Sequence, residues 1–245
     1  MKELLLDIET SPNLAYVWEK YEQDVISFEK ERELLSFAYK WSGDKNVKCF
    51  SLNELTPLRL TKKLHELFGE AEVIVAHNGD NFDIKMANAF FAHFNLKPPS
   101  PYKTIDTLKI ARSKFRFNSN KLNDLGEYLG LGTKVETGGF KLWLGCLKGN
   151  RLAWKKMKEY NKRDVELLEK VYWKLKPWVN TPSFEEGIKC PSCGSTHVQK
   201  RGWNLNRIFK SQRYQCTDCG KWCHSSRKIK HNKGDNHGLN ENRDT

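Results

Sequence analysis

The feature that most constrains the fold is the pair Asp7 and Glu9, which directly follows the apolar run 4–6. An apolar run of this kind is typical of a buried strand, which we predict over residues 2–8. Side chains two residues apart in a strand point to the same face, so the two carboxylates project side by side. They repel one another unless a cation lies between them, and hard oxygen ligands favour Mg²⁺ or Mn²⁺. The pair therefore predicts a strand that ends at a metal site.

Two further segments carry acidic residues in positions that suit such a site. The polar segment 77–83 follows the apolar run 73–76 and precedes a helical pattern. Polar residues at a junction between a buried strand and a helix lie where open α/β sheets bind ligands, which places Asp83 there. In a later helix, the i, i+4 spacing puts the Tyr160 hydroxyl and the Asp164 carboxylate on one face. A phenol beside a carboxylate can position a water molecule.

The three motifs, taken in order, resemble those of the DEDD superfamily of 3′–5′ exonucleases, in the subclass with tyrosine in the third motif. The residues that carry the resemblance are Asp7, Glu9, Asp83, Tyr160 and Asp164. The segment 78–83 is similar to the proofreading exonuclease domain of family B DNA polymerases, and the segments 104–108 and 121–125 look like the strand and helix between the second and third motifs. The resemblance covers roughly residues 1–176. It implies an α/β, RNase H-like fold, a mixed five-stranded sheet flanked by helices.

The resemblance also implies phosphodiester hydrolysis with two Mg²⁺ or Mn²⁺ ions, one activating a water and the other stabilising the departing 3′ oxygen. The ligands that it supplies are Asp7, Glu9, Asp83 and Asp164. Tyr160 would orient the attacking water, and Lys162 or Arg163 would neutralise charge on the scissile phosphate. Asn78 and Phe82 match family positions that contact the terminal nucleotides, so they are candidate substrate-binding residues.

The second motif, at residues 78–83, does not by itself identify which carboxylate binds the metal. Asp80 lies three residues before Asp83, and Asp106 offers another carboxylate. Alignment on Asn78 and Phe82 favours Asp83. The sequence holds no polymerase domain, so we expect the protein to act alone or with a separate polymerase or another replication or repair partner.

Periodicity predicts the other elements of this part of the chain. Residues 34–41 and 47–52 are expected to form strands joined by a turn at 43–46. The segment 137–150 contains four glycines and is expected to be a loop near the site or a linker. A long helix should begin near Asn150 and end before Pro177.

The carboxyl-terminal part contains two CxxC pairs, each followed by glycine. They are Cys190 with Cys193 and Cys216 with Cys219. Four thiolates suit one closed, structural Zn²⁺ site, which would supply folding energy that so short a segment lacks. The alternative is two disulfides, which a cytosolic protein rarely keeps. Cys223, His197 and His224 are close enough in sequence to be substitute ligands. The segments 190–195 and 213–216 look like zinc ribbons of transposases and transcription factors.

Charge and aromatic residues make nucleic acid the expected partner of this zinc ribbon. Residues 189–233 hold eleven lysines and arginines and one acid, Asp218, in a chain whose formal net charge is +12. The aromatic residues among them are Trp203, Phe209, Tyr214 and Trp222. This mixture is typical of stacking on bases while following phosphates, although some of these rings must instead pack the ribbon. We expect an exonuclease domain over 1–180, with a linker at 181–183 opening the ribbon at 181–233, and a disordered tail over 234–245.

Other functions remain compatible with these residues. The ribbon could bind nucleic acid beside a silent nuclease fold, although uncompensated carboxylates gain nothing in a protein that binds a polyanion. The chain could be a transposase or structure-specific endonuclease of the same architecture. It could also trim RNA, because two-metal chemistry acts at the phosphate; DNA is our preferred substrate. No run reaches transmembrane length and no signal peptide is evident, so we expect a cytoplasmic protein, in the host cytoplasm if phage-encoded.

Overall fold

The apolar run at the amino terminus forms the central strand of a five-stranded sheet, in a computed structural model that describes residues 2–21, 24–133, 138–179, 189–205 and 208–230. The strands before the ribbon are β1 (Glu3–Thr10), β2 (Leu14–Tyr16), β3 (Ser27–Lys30), β4 (Leu34–Trp41), β5 (Lys48–Ser51), β6 (Val73–Ala76) and β7 (Lys103–Asp106). The sheet order is β5-β4-β1-β6-β7. Strand β1 is antiparallel to β4 and parallel to β6. At the two edges, β5 pairs antiparallel with β4 and β7 pairs parallel with β6. This confirms the predicted mixed five-stranded α/β fold.

Six helices accompany the sheet within the described ranges. They are α1 (Pro57–Glu70), α2 (Asp83–His93), α3 (Thr107–Lys114), α4 (Leu122–Tyr128), α5 (Lys141–Leu147) and α6 (Arg151–Leu175). Helix α6 begins where we expected, because the Asn150 side chain accepts hydrogen bonds from the backbone amides of Leu152 and Ala153. It ends at Leu175, followed by a short 3-10 turn that contains Pro177.

The two faces of β1 pack against different helices. Leu4, Leu6 and Ile8 are buried in a core that α1 and α2 complete. On the opposite face, the Tyr172 hydroxyl of α6 donates to Glu3 Oε1 at 3.2 Å. Each fully buried leucine contributes about 2 kcal/mol of hydrophobic stabilisation, so the core face fixes which side of the strand turns towards α6. The odd-numbered residues of β1, Asp7 and Glu9 among them, therefore point to the α6 side.

The expectation of a loop or linker over 137–150 is wrong for residues 141–147, which form α5. Thr137 itself lies outside the described residues. Leu142 and Cys146 are buried one turn apart on the same face of α5. A Cβ atom on Gly145 would lie 2.7 Å from the Ala153 Cβ, so this glycine permits close packing of α5 against α6. The glycines of this segment are thus partly packing residues and not only turn residues.

The sequence predicted no element over residues 11–33, where β2 and β3 form an antiparallel two-stranded sheet. Several of its apolar side chains are exposed, and Trp18 and Tyr21 beside it are each more than 80% exposed. The exposure of these side chains explains why the sequence did not predict β2 and β3, because alternating apolar residues indicate a strand only when one of its faces is buried.

The zinc ribbon lies in a second compact unit, since contacts divide the chain into Met1–Lys174 and Leu175–Thr245. Its strands are β8 (Val198–Leu205), β9 (Phe209–Cys216), β10 (Trp222–His224) and β11 (Ile229–Lys230), and β9 pairs antiparallel with the other three. The linker at 181–183 and the tail at 234–245 lie outside the described residues, so the domain limits stay predictions. No helix in the described ranges is long and apolar enough to cross a membrane.

Candidate active site and metal centres

Three carboxylates from two distant parts of the chain converge on the α6 side of β1. Asp7, Glu9 and Asp164 each offer an oxygen, and these oxygens lie within 4.8 Å of one another. Asp164 is buried, whereas Asp7 and Glu9 are half-buried. Three negative charges this close are unfavourable without a cation, and carboxylate oxygens are the ligands that Mg²⁺ and Mn²⁺ prefer. The donor set therefore fits a hard divalent ion.

The alignment of α6 with β1 brings these residues together. Glu3 of β1 bonds to Tyr172, and Asp7 bonds to Asn161, which lies earlier in α6. The helix therefore runs antiparallel to the strand. Four residues along a strand span about 13 Å and eleven residues along a helix span about 16 Å, so the two elements stay in register over this length.

Asp83 lies against β1 but does not belong to the three-carboxylate cluster. It is the first residue of α2 and is 2% exposed. Its Oδ1 accepts a hydrogen bond from the Ile8 backbone amide at 3.0 Å. A carboxylate in the first turn of a helix is also stabilised by the helix dipole. Asp83 thus contacts the strand at the residue that separates Asp7 from Glu9.

Tyr160 lies one turn before Asp164, as its spacing predicted, and its hydroxyl donates a hydrogen bond to the Asp164 carboxylate. Burial, and then the charges of Asp164, Glu9 and Asp7, raise the pKa of the Tyr160 phenol far above its usual value. In the metal-free site, the phenol is therefore neutral at physiological pH and acts as a hydrogen-bond donor. The Trp143 ring of α5 packs edge-on against it, with 6.2 Å between ring centroids.

The loop before α2 is held by the two carboxylates that the sequence left open. Asp106 Oδ1 accepts from the backbone amides of Asn78 and Leu108, both at 2.9 Å, and so caps α3. Asp80 pairs with Lys109 at 2.7 Å. Among the described residues, neither Asp80 nor Asp106 joins the acidic cluster. Through these bonds, Asp106 and Asp80 hold the loop before α2 in place.

The remaining sequence candidates occupy less buried positions. Asn78 adopts a left-handed backbone conformation with φ of 65°, and its Oδ1 accepts from Asn81 at 3.3 Å. Phe82 is half-buried and packs against the core of the sheet. Lys162 and Arg163 are exposed on α6, and Arg163 pairs with Glu166 at 2.7 Å.

Sequence reasoning missed Asn161, which is fully buried beside Asp7. Asparagine is unfavourable inside a helix, because its side chain competes for backbone hydrogen bonds. An asparagine between Tyr160 and Asp164 was therefore a signal that could have been used.

The four predicted cysteines of the ribbon converge on one point. Cys190 Sγ lies 3.7 Å from Cys219 Sγ, and Cys193 Sγ lies 3.7 Å from Cys216 Sγ. Four thiolates at the usual Zn–S distance in a tetrahedron are about 3.8 Å apart, whereas disulfide sulfurs are about 2.0 Å apart. The spacing fits one zinc ion rather than two disulfides.

The four thiols of the cluster differ in acidity. Burial raises the pKa of the Cys190 thiol and raises that of Cys193 to about 12. Burial also acts to raise the pKa of Cys216, but hydrogen bonds from the backbone amides of Cys219 and Asp218 and from the Cys193 and Cys190 side chains together lower it to about 7. Two substitute ligands have other contacts, since His197 Nδ1 lies 3.1 Å from Asp218 and Cys223 Sγ lies 4.0 Å from the Tyr214 carbonyl. In the described part of the chain, neither these two residues nor His224 joins the cluster.

Comparison with known proteins agrees with this fold. The family model RNase_H_2, of the RNase H superfamily, matches residues 5–176. The structure is similar to that of a family B DNA polymerase from the hyperthermophilic archaeon Pyrobaculum calidifontis, with a TM-score of 0.55 and 16% identity over 72% of this chain. The match spans 25% of the polymerase chain. No curated protein matches the sequence.

The likeness to the polymerase concerns the fold, and it confirms the resemblance to family B polymerases at that level. Family and fold together support nuclease activity. With a family model that matches from β1 to the end of α6, the chain belongs to the RNase H superfamily.

Proposed function

We propose that this protein is a metal-dependent 3′–5′ exonuclease that hydrolyses phosphodiester bonds of DNA. The observation that carries the proposal is the convergence of Asp7, Glu9 and Asp164 within 4.8 Å, with the Tyr160 hydroxyl bonded to Asp164. The exonuclease direction rests on the order and identity of the three motifs, which resemble those of the DEDD superfamily.

The metal ligands in this proposal are Asp7, Glu9 and Asp164, with Asp83 beside them. Two Mg²⁺ or Mn²⁺ ions, when bound, supply an activated water and stabilise the departing 3′ oxygen. In the metal-free site, burial and the nearby carboxylates raise the pKa of the Tyr160 phenol and favour its protonated form, which can donate a hydrogen bond. It orients the water through its hydroxyl. Asn78 and Phe82 contact the terminal nucleotides.

The zinc ribbon assists by binding the substrate strand. Trp203 and Trp222 are both more than 40% exposed, whereas Tyr214 is buried and Phe209 is half-buried. A basic side chain lies over each exposed tryptophan ring. Lys210 Nζ is 5.3 Å from the centroid of the Trp203 ring, and Arg213 Cζ is 5.0 Å from the centroid of the Trp222 ring. Exposed rings beside basic side chains suit base stacking combined with phosphate contacts.

A cleft on the ribbon adds a place for an unpaired base. Its volume is about 260 Å³, and its lining residues are Lys200, Trp203, Gln212, Ser225, Arg227 and Ile229. Loss of stacking in Trp203→Ala should weaken binding of a single strand by about 1–3 kcal/mol. Loss of both cations, in Lys200→Ala with Arg227→Ala, should reduce the slope of log K against log salt by about 1.4.

The control for the paired cation change is Arg59→Ala with Lys62→Ala, which removes the same charge from the exposed face of α1. Binding is measured by fluorescence anisotropy of labelled oligonucleotides. Equal salt slopes in the two double variants would show that the cleft makes no specific phosphate contacts.

The test of the enzyme is a gel assay on 5′-labelled single-stranded DNA, single-stranded RNA and a recessed duplex. Reactions contain Mg²⁺, Mn²⁺ or no divalent ion. We expect a metal-dependent ladder that shortens from the 3′ end, absent in Asp7→Ala and in Asp164→Ala. Asp44→Ala, on the exposed β4–β5 turn, is the control and should cut normally.

The result on each substrate decides between the alternatives. Cleavage of RNA alone would make the protein an exoribonuclease, and internal cuts would make it an endonuclease. Retained turnover in Asp7→Ala or Asp164→Ala would overturn the assignment. Tight binding without cleavage of any substrate would leave the basic, aromatic ribbon as the functional part of the protein.

A further inference from the structure

We propose that Asn161 is a positioning residue that fixes the metal-binding carboxylate of Asp7, and that Ser36 in turn fixes Asn161. The inference rests on the proposed metal site, because Asp7 is treated as a ligand. It assigns a function to two residues outside the motif pattern.

The amide nitrogen of Asn161 bonds to Asp7, whereas its Oδ1 accepts from Ser36 and lies 3.9 Å from Cys49 Sγ. Asn161 Nδ2 donates to Asp7 Oδ2 at 2.6 Å and to the Asp7 backbone carbonyl at 3.1 Å. Both protons of one amide group therefore bind the same residue. Hydrogen bonds to a charged acceptor are shorter and about twice as strong as neutral ones, which agrees with the shorter of the two distances. The side chain and the backbone of Asp7 are held together.

Ser36 holds the oxygen of that amide in place. The Ser36 hydroxyl donates to Asn161 Oδ1 at 3.0 Å, and both side chains are fully buried. A flipped amide would direct its oxygen at the Asp7 carboxylate, which has no proton to donate. The Asp7 carboxylate therefore selects one orientation of Asn161, and the Ser36 hydroxyl binds the Oδ1 atom that this orientation presents.

The position of this network in the fold connects it to the metal site. Ser36 lies on β4 and is the Cα partner of Glu9 in the β1–β4 pair. Asn161 lies on α6, three residues before Asp164. The network therefore joins the strand and the helix that carry the acidic cluster. A carboxylate that is only half-buried would otherwise sample several rotamers, and each non-productive rotamer weakens metal binding.

The experiment compares metal binding by three variants of the full chain. Asn161→Leu keeps a similar volume without hydrogen bonds, and Ser36→Ala removes only the hydroxyl. The matched control is Ser51→Ala, because Ser51 is the β5 partner of Ser36, is equally buried, and bonds to Asn53 and Glu54 instead. Mn²⁺ affinity is measured by calorimetry, and kcat and the half-saturating Mg²⁺ concentration are measured by nuclease assay.

We expect Asn161→Leu to weaken Mn²⁺ binding about 10- to 100-fold, the range for residues that hold a metal ligand. Ser36→Ala should weaken it in the same direction by a smaller factor, and Ser51→Ala should leave it unchanged. High Mg²⁺ should partly restore turnover in Ser36→Ala, because the defect lies in ligand orientation. A role in fold stability alone would change the melting temperature without changing metal affinity.

Wild-type Mn²⁺ affinity in folded Asn161→Leu would overturn the proposal, and so would an equal loss in Ser51→Ala. If Asn161→Leu fails to fold, unchanged affinity in Ser36→Ala overturns it. The calorimetric measurement requires no turnover. A wild-type protein that binds Mn²⁺ but cuts nothing, with weaker binding in Ser36→Ala, would refute the exonuclease and support the positioning of Asp7.

Discussion

Removal of one charge from the acidic cluster should stabilise the metal-free protein and reduce its response to metal. The substitution is Glu9→Gln, which preserves the shape of a half-buried side chain. Each pair of unit charges 4.8 Å apart repels by about 0.9 kcal/mol in water and about 3.5 kcal/mol at an effective dielectric constant of 20. Glu9 has two such neighbours, Asp7 and Asp164.

The half-exposed position of Glu9 favours the lower estimate, because solvent screens its charge. We therefore expect about 2 kcal/mol of stabilisation, which corresponds to a rise in melting temperature of about 4–8 °C for a domain of this size. A wild-type protein at ten times its Mg²⁺ dissociation constant should gain about 1.4 kcal/mol. The variant should gain much less.

The assay is thermal unfolding followed by circular dichroism, with no divalent ion and with Mg²⁺ added to saturation. Glu66→Gln, an exposed substitution on α1, is the control and should behave as wild type. A lower melting temperature for metal-free Glu9→Gln would show that the cluster is not under electrostatic strain. An unchanged Mg²⁺ response in that variant would show that Glu9 does not bind the metal.

Three further outcomes are expected. Tyr160→Phe should keep its metal affinity but lower kcat about 10- to 100-fold in the nuclease assay, because the attacking water loses its orienting hydroxyl; an unchanged kcat would refute that function. Gly79→Ala should lower the free energy of unfolding in urea by about 1–3 kcal/mol, since its Cβ would lie 2.4 Å from the Ala76 Cβ; wild-type stability would contradict the tight loop. Burial raises the pKa of the Cys49 thiol to about 12 and that of the Cys146 thiol to about 11. At pH 8 the thiolate fraction is therefore about one in ten thousand for Cys49 and about one in a thousand for Cys146. Iodoacetamide labelling, located by mass spectrometry, should be slow at both cysteines and rise about tenfold per pH unit; rapid labelling at pH 8 would refute their burial.

Local pattern alone predicted the elements whose apolar residues face one core. The run before Asp7 forms β1, the run 73–76 forms β6, and the strand predicted over residues 34–41 is β4. The CxxC pairs were as clear, because metal ligands with short spacing constrain the backbone locally. Helix α5 was missed, since glycines that permit close packing look the same in sequence as glycines that make turns.

In the candidate site, too, the sequence identified some features and the structure was needed for others. Sequence identified Asp7, Glu9 and Asp164 as a set only through the resemblance, because nothing local links residues more than 150 positions apart. Asp83 was singled out by its junction position, and the structure adds its bond to the Ile8 amide. The structure adds the contacts of the competing carboxylates, with Asp106 capping α3 and Asp80 paired with Lys109.

The sequence by itself determined the periodic elements, the four cysteines of the ribbon and the acidic residues offered to a metal, because each depends on neighbours within a few positions. Only the tertiary structure decided which carboxylates meet, which neutral side chain bonds to Asp7 and which face of β1 turns to α6. Asn161 illustrates the difference. Its importance comes from the Asp7 carboxylate and the Ser36 hydroxyl, which belong to two different strands and meet it only when α6 packs on the sheet.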